Sequence, residues 1–344
     1  MSENGKTRIG VVGDIEDPNG HAPLFTRLFN SVKDRCAWRQ RYGWKLNEDY
    51  GKSSEVVSSE TGCTYPEDLS LPEDRQLPGL DTAEVVALCP SSSSREVEKA
   101  EFLAEQCGIE LVTTNPNDLF GNVDGVIVTN NPEMKHGRYP VPFLEEGVPV
   151  FVDKPLAGTY EEAHELIRLA EAQNTPLMSC SGLRYSGCLW RKRGELAAVG
   201  PIWLVNATLA ICKMAFYAIH VLEPIVSIIG WEMRCVRNCG TQDSQIAVFD
   251  YVDGKRMTIQ CVERLPYMLR LSFFGEKGKV DIELANPREV ADQSFHKRTL
   301  RHFLDMIATG RPPIDLRETD TILKALFKAE ESLRAGGTPV DLLS

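Results

Sequence analysis

Asp153, Lys154 and Pro155 close an apolar run, Val148-Pro149-Val150-Phe151-Val152, and a small-residue turn follows at Leu156-Ala157-Gly158. A lysine at the carboxyl end of a parallel strand lies where open α/β sheets bind their ligands. The proline behind it disfavours helical geometry at Lys154 and removes a backbone donor. Such a corner holds one cation at a fixed place, which suits the orientation of a hydroxyl or an anion. It reads equally well as a strand that stops at a solvated turn. The second candidate is His220, inside the apolar stretch 216–229. An imidazole exchanges its proton near neutral pH, so it suits general acid–base work. Taken alone, His220 fits a packed helix histidine as well as a catalytic one.

The elements that must position these residues follow from periodicity. Arg8 to Gly13 is an apolar strand, a loop runs from Asp14 to Gly20, and His21 to Ser31 carries Leu24, Leu28 and Phe29 at helical spacing. Strands then alternate with helices: Glu84–Cys89, helix Arg95–Cys107, Ile109–Thr113, a helix start at Asn115, Gly125–Thr129, helix Tyr139–Glu146, Val148–Val152, helix Tyr160–Gln173 and Pro176–Cys180. This alternation predicts a mostly parallel sheet covered on both faces. Residues 36–81 break it, with prolines, glycines and charges around Trp38, Tyr42, Trp44 and Tyr50. They read as an irregular insertion. After residue 183 the pattern changes to strands at Ile202, Met233, Gln245, Lys255, Met268 and Gly278. Asp253-Gly254 is a hairpin turn, Phe216–Ile229 a helix, and two helices close the chain from Lys297 and Glu318. The expected fold is α/β: a Rossmann domain over 1–183 and an α+β domain with an open, mostly antiparallel sheet over 184–344, its last helices returning toward the first domain.

The chain has 344 residues, 42% of them hydrophobic, and a formal net charge of -11. The acidic balance argues against nucleic acid and anionic membranes as partners. No apolar run is long enough to span a bilayer. The ten cysteines contain no CxxC pair and read as small core residues in a cytoplasmic protein. His21, His164, His296 and His302 show no metal-ligand pattern, so no metal is expected.

Three segments in order carry a family resemblance. The first runs from Val123-Asp124-Gly125-Val126-Ile127-Val128 to Lys154-Pro155-Leu156-Ala157, with His136 eighteen positions before Lys154. The second is Tyr217-Ala218-Ile219-His220-Val221-Leu222-Glu223-Pro224, and the third is Phe303-Leu304-Asp305-Met306-Ile307-Ala308-Thr309-Gly310. Together they resemble the Gfo/Idh/MocA oxidoreductases, in which a strand ends in Glu-Lys-Pro; Asp153 stands here for the glutamate. The resemblance implies hydride transfer between a nicotinamide, NAD or NADP, and a hydroxyl carbon of a sugar or polyol. It implies Lys154 and His220 as the reaction residues, with Tyr217 beside them. Gly13, Asp14, Ile15, Gly20 and His21 would form the nucleotide loop. Asn130, Asn131, Pro132, His136, Asp153 and Lys154 would line the nicotinamide side. Lys154, Arg184, Tyr185, Lys213 and His220 would meet substrate, with a structural helix start open for His136 and a solvated side chain open for Lys213. A homodimer or homotetramer is implied through the open face of the second sheet.

Two departures qualify this. The family's histidine has an aspartate four residues earlier, and here that position is Phe216; the neighbouring Tyr217 offers a hydroxyl in a different direction. The nucleotide loop keeps only Gly13 of the G-x-G-x-x-G pattern, with Ile15 at the second glycine and negative charge at Asp14, Glu16 and Asp17. The second strand ends without an acid, in Cys89-Pro90-Ser91-Ser92-Ser93-Ser94-Arg95. Ser91 and Arg95 suit a 2′-phosphate and tilt the expectation slightly to NADP, while the serines serve equally as a helix cap. The departures keep two alternatives open: a non-catalytic binding or regulatory protein on the same fold, and a redox-assisted lyase or hydrolase.

Overall fold

The computed structural model describes residues 5–15, 21–42, 76–129, 138–284 and 293–343. The chain divides into two compact units, Met1–Ser179 with His296–Leu316, and Cys180–Phe295 with Arg317–Ser344.

The first unit is built on β1 (Thr7–Gly13), β2 (Ala83–Cys89), β3 (Leu111–Val112), β4 (Gly125–Thr129), β5 (Val150–Val152) and β6 (Leu177–Met178). They form one sheet in the order β3-β2-β1-β4-β5-β6, with every pair parallel. Strand order reverses between β1 and β4, the switch point at which open α/β sheets take their ligands. The strands read as unbroken apolar runs because both faces are covered: Val11, Val12, Ile127, Val128, Val150 and Val152 are all fully buried. The covering helices are α1 (His21–Phe29), α2 (Arg35–Tyr42), α3 (Ser94–Cys107), α4 (Val141–Glu145) and α5 (Tyr160–Gln173). Local chemistry fixes their ends. Ser93 caps α3 by accepting from the Glu96 amide, and Gly108 closes it in the left-handed region at φ 68°. Thr159 caps α5 in the same way.

The segment 36–81 begins as a helix, where an irregular insertion was expected. Trp38 is fully buried, and its ring lies 4.8 Å from Tyr42, which in turn meets Phe102 of α3. The aromatics give α2 an apolar face to dock, a signal outweighed in the sequence by the charged residues between them. The rest of the insertion up to residue 75 lies outside the described residues.

The second unit opens with α6 (Gly187–Arg191) and α7 (Arg193–Ala198). Its sheet comprises β7 (Ile202–Leu209), β8 (Met233–Thr241), β9 (Ser244–Tyr251), β10 (Arg256–Val262), β11 (Leu269–Gly275), β12 (Gly278–Glu283) and β13 (Val340–Asp341), in the order β12-β11-β7-β10-β9-β8-β13. All neighbours are antiparallel except β7 and β10. Asp253-Gly254 makes the turn between β9 and β10, with Gly254 at φ 89°. The predicted helix 216–229 is two helices, α8 (Met214–Tyr217) and α9 (Ile219–Ile229), with Pro224 inside the second. Helix α9 packs against β7 and β11. The closing helices are α10 (Ser294–Thr309) and α11 (Leu316–Arg334); residues 296–309 of α10 belong to the first unit.

Helix α10 docks on the first sheet where a glycine leaves room. A Cβ on Gly125 would lie 2.6 Å from Ile307 Cδ1 and 3.1 Å from the Phe303 ring. Phe303 also meets Phe151 of β5, with ring centroids 5.9 Å apart. Gly125→Val should therefore lower stability by about 1–3 kcal/mol through overpacking. Thermal unfolding measures it, and an unchanged midpoint would show that α10 does not depend on this contact.

Candidate functional site

The corner seen in the sequence is a buried charge cluster of the first unit. Strand β5 ends at Val152, and Asp153 and Lys154 follow with 2% and 7% of their surface exposed. The bond from Lys154 to Pro155 is cis. Asp153 Oδ2 lies 2.5 Å from Nδ1 of His21, the first residue of α1. Burial alone would raise the Asp153 carboxyl, but the charge and hydrogen bond of His21, with Lys154 behind them, hold it well below the ordinary carboxylate range. His296 of α10 stands edge-on to His21 at 5.2 Å and to Phe25 at 5.4 Å. Burial, His21 and Lys154 drive the His296 imidazole down to about 3, against the opposing pull of Asp153. Phe25 continues the aromatic column to Phe151. The solvated-turn reading of the corner is thereby replaced by a packed one.

The nucleotide loop leaves β1 at Gly13, whose φ is 110°. A Cβ there would meet the Thr129 carbonyl oxygen at 3.0 Å, so the first glycine is needed both for its dihedral and for the close approach of β1 to β4. Thr129 Oγ1 lies 3.2 Å from the carbonyl oxygens of both Val12 and Asp14, shares its one proton between them and ties the two strand ends together. Ile15 is fully buried, so its side chain belongs to the core. Its amide donates to Glu96 Oε2 at 2.6 Å. Ser91 follows β2, the strand that pairs with β1, and Arg95 lies in the first turn of α3. Gly20, Asn130, Asn131, Pro132 and His136 lie outside the described residues.

In the second unit, His220 Nδ1 lies 2.7 Å from Ser181 Oγ, and Ser181 also caps the turn 182–185 by accepting from the Leu183 amide. Phe216 packs edge-on against Phe327 of α11 at 6.2 Å. The Tyr217 ring stands edge-on to His220 at 4.8 Å, while its hydroxyl donates to Tyr267. The hydroxyl at His220 Nδ1 thus comes from Ser181, 39 positions upstream, and not from Tyr217. A serine orients the ring without placing negative charge beside it, which the family's aspartate would do.

Arg184 is taken up by two carboxylates, Glu223 Oε2 at 2.8 Å and Glu318 Oε1 at 2.6 Å. Glu223 is 1% exposed, and burial pushes it up to about 7 despite Arg184. Arg184, expected to meet substrate, therefore has an internal partner set that the sequence did not reveal. Burial also raises the Tyr185 phenol well above its ordinary value. Lys213 is exposed at the start of α8. Among the described residues, no group of three or more His, Cys, Asp or Glu side chains could hold a metal ion, and no helix is long and apolar enough to cross a membrane.

A parallel sheet with a ligand-type switch point and a separate open mixed sheet define a two-unit Rossmann class of protein. Residues 74–180 match the family model GFO_IDH_MocA, described as an oxidoreductase family with an NAD-binding Rossmann fold. Similar solved structures include myo-inositol dehydrogenase from Lactobacillus casei in complex with NAD(H) and myo-inositol, 15% identical with a TM-score of 0.70, covering 98% of this chain and 96% of that one. Scyllo-inositol dehydrogenase from the same organism, with bound NAD(H) and scyllo-inositol, is 14% identical with a TM-score of 0.71, covering 98% and 100%. A probable dehydrogenase from Thermotoga maritima is 16% identical with a TM-score of 0.67, covering 98% and 99%. No curated protein matches the sequence. At these identities the structures share a fold with this chain, and the family match covers residues 74–180.

The His296 pocket has a consequence in acid. The folded chain keeps His296 neutral down to about pH 3, while the unfolded chain takes up that proton near pH 6.5. The unfolded state then binds more protons, so stability falls as pH drops through this window. His296→Phe keeps the aromatic packing and should show a smaller loss of thermal midpoint between pH 7 and pH 5 than the natural chain. An equal loss in both would contradict the buried neutral histidine.

Proposed function

We propose that the protein is a nicotinamide-dependent oxidoreductase that moves hydride between NAD(P) and the hydroxyl or carbonyl carbon of a sugar-like or polyol substrate. The observation that carries this is the match of residues 74–180 to an NAD-binding oxidoreductase family, with Lys154 buried at the carboxyl end of β5. The residues fit a dinucleotide at the switch point. Gly13 lets β1 approach β4 closely at the switch point, and the Ile15 side chain is buried in the core and so leaves the ligand's path clear. Gly13, Asp14, Ile15 and His21, with Ser91 and Arg95 at the neighbouring strand end, would hold it. The nicotinamide, when bound, supplies or accepts the hydride.

The remaining work belongs to side chains. His220 takes the hydroxyl proton when the alcohol is oxidised and returns it in the reverse direction. Ser181 holds Nδ1, which directs the exchange to Nε2. Lys154 donates to the substrate oxygen and stabilises it as negative charge develops. Asp153 and His21 fix the backbone from which Lys154 projects. A polyhydroxylated substrate agrees with the inositols bound by the two Lactobacillus casei enzymes. A homodimer or homotetramer and a reducing, cytoplasmic setting belong to the same proposal; the free cysteines of the described residues suit the latter.

The competing reading, a non-catalytic binding protein, draws on Phe216 in place of an aspartate and on the acidic residue Asp14. Titration with NADH and NADPH followed by nicotinamide fluorescence separates the two. Binding of either at submillimolar concentration is expected, and binding of neither removes the oxidoreductase. In a polyol dehydrogenase assay, Lys154→Ala and His220→Ala should each lower kcat by roughly 100-fold or more. Unchanged rates would remove both from the reaction.

A further inference from the structure

We propose that Arg184 and Glu223 are positioning residues for His220: their buried ion pair docks the turn 181–185 on α9 and so keeps Ser181 at Nδ1 of the ring; the role rests on the reading of His220 as the proton carrier. The turn, α9 and Glu318 of α11 all belong to the second unit. Turn and helix pack together and share two side-chain pairs in one register. Ser181 Oγ lies 2.7 Å from His220 Nδ1, and Arg184 Nη1 lies 2.8 Å from Glu223 Oε2. Both pairs span 39 positions, because Arg184 follows Ser181 by the same step as Glu223 follows His220. Ser181 caps a 3₁₀ turn, in which side chains one turn apart stand over one another. Positions so spaced on an α-helix are neighbours as well. One contact alone would let the turn pivot on α9, and the second, one turn further on, stops it.

The two contacts differ in strength. A charge-assisted hydrogen bond is roughly twice as strong as a neutral one, so the Arg184–Glu223 contact sets the position and the Ser181–His220 contact follows it. The charged pair is also largely withdrawn from water. Ser181 is fully buried and accepts from the Leu183 amide at 3.2 Å. A hydroxyl oxygen has two acceptor positions, and the second takes the Nδ1 proton of a neutral ring. That leaves Nε2 bare, the state in which it can take a proton from a substrate hydroxyl. Glu318 Oε1, 2.6 Å from the same Arg184 Nη1, brings a second carboxylate from α11. Arg184 therefore keeps a partner of opposite charge when Glu223 is removed. The tie to α9 can be cut without leaving a buried cation alone, the change that destabilises such pairs most.

The test is ¹⁵N-histidine NMR of the full chain at about pH 8, where an ordinary imidazole is neutral, with thermal midpoints recorded for every variant. The His220 signals are those that His220→Gln removes. The natural protein should show Nδ1 protonated and Nε2 bare. Glu223→Leu leaves Arg184 paired with Glu318 and should lower the ratio of Nδ1–H to Nε2–H by roughly fivefold, the weight of one ordinary hydrogen bond. Glu318→Gln leaves the tie to α9 in place and should keep the natural ratio, whatever its midpoint. A folded Glu223→Leu with the natural ratio overturns the positioning role, as does a Glu318→Gln that lowers the ratio equally or a natural ring protonated at Nε2. If Glu223→Leu does not fold, Glu223→Gln decides: its acceptor has lost its charge, so the ratio should fall at least about twofold, and an unmoved ratio is contrary. Titrations with NADH and NADPH on the same samples separate the two readings. Binding of neither by the natural protein removes the oxidoreductase and the proton-transfer role with it, whereas an unmoved ratio beside normal binding removes the positioning role alone.

Discussion

A carboxylate withdrawn from water must keep a cation beside it, and the first unit is arranged around one such group. Asp153 is buried at the end of a strand where a solvated turn would be cheaper. Its hydrogen bond with His21 joins β5 to the first residue of α1, and His296 brings α10 to the same point. Breaking such a pair by removing one partner typically costs several kcal/mol, because the other charge stays buried. The pair therefore fixes three elements relative to one another and sets Lys154 on a rigid backbone. It also places a histidine where the nucleotide loop enters its helix, so loop and lysine corner share one charge network.

The loop itself answers the objection its sequence raises. Ile15 replaces a glycine, yet its side chain turns into the core and only its amide faces the strand ends. The acidity of the region is likewise organised. Glu96 is paired with an amide and with Lys99, so its charge is held in place by donors. In the second unit, Ser181 supplies the partner for His220 that Phe216 cannot, and Phe216 is used for packing against Phe327.

Periodicity made the sheets legible. Strands β4, β7 and β12 and helix α5 fall on the residues that their apolar spacing predicts, because buried parallel strands and amphipathic helices write their burial into sequence. Helix α2 was hidden by its charged residues, and the break between α8 and α9 by continuous apolarity. The site was legible only in its anchors, Gly13, Asp153, Lys154 and His220. Its supporting pairs span 39, 81 and 132 positions, and nothing local marks such distances. One signal was available: a serine cap three residues before a glutamate is readable, and Ser93 to Glu96 has that spacing. Arg184 misled because a buried ion pair and a substrate ligand call for the same residue type.

The central claim is that the β1–α1 loop and the Lys154 corner form the nicotinamide site of the first unit. Hydrogen–deuterium exchange of the full chain, with and without saturating NADH, tests it most directly. The account predicts added protection in peptides covering residues 7–29 and 150–158. Bound NADH with no added protection in those two segments would contradict it.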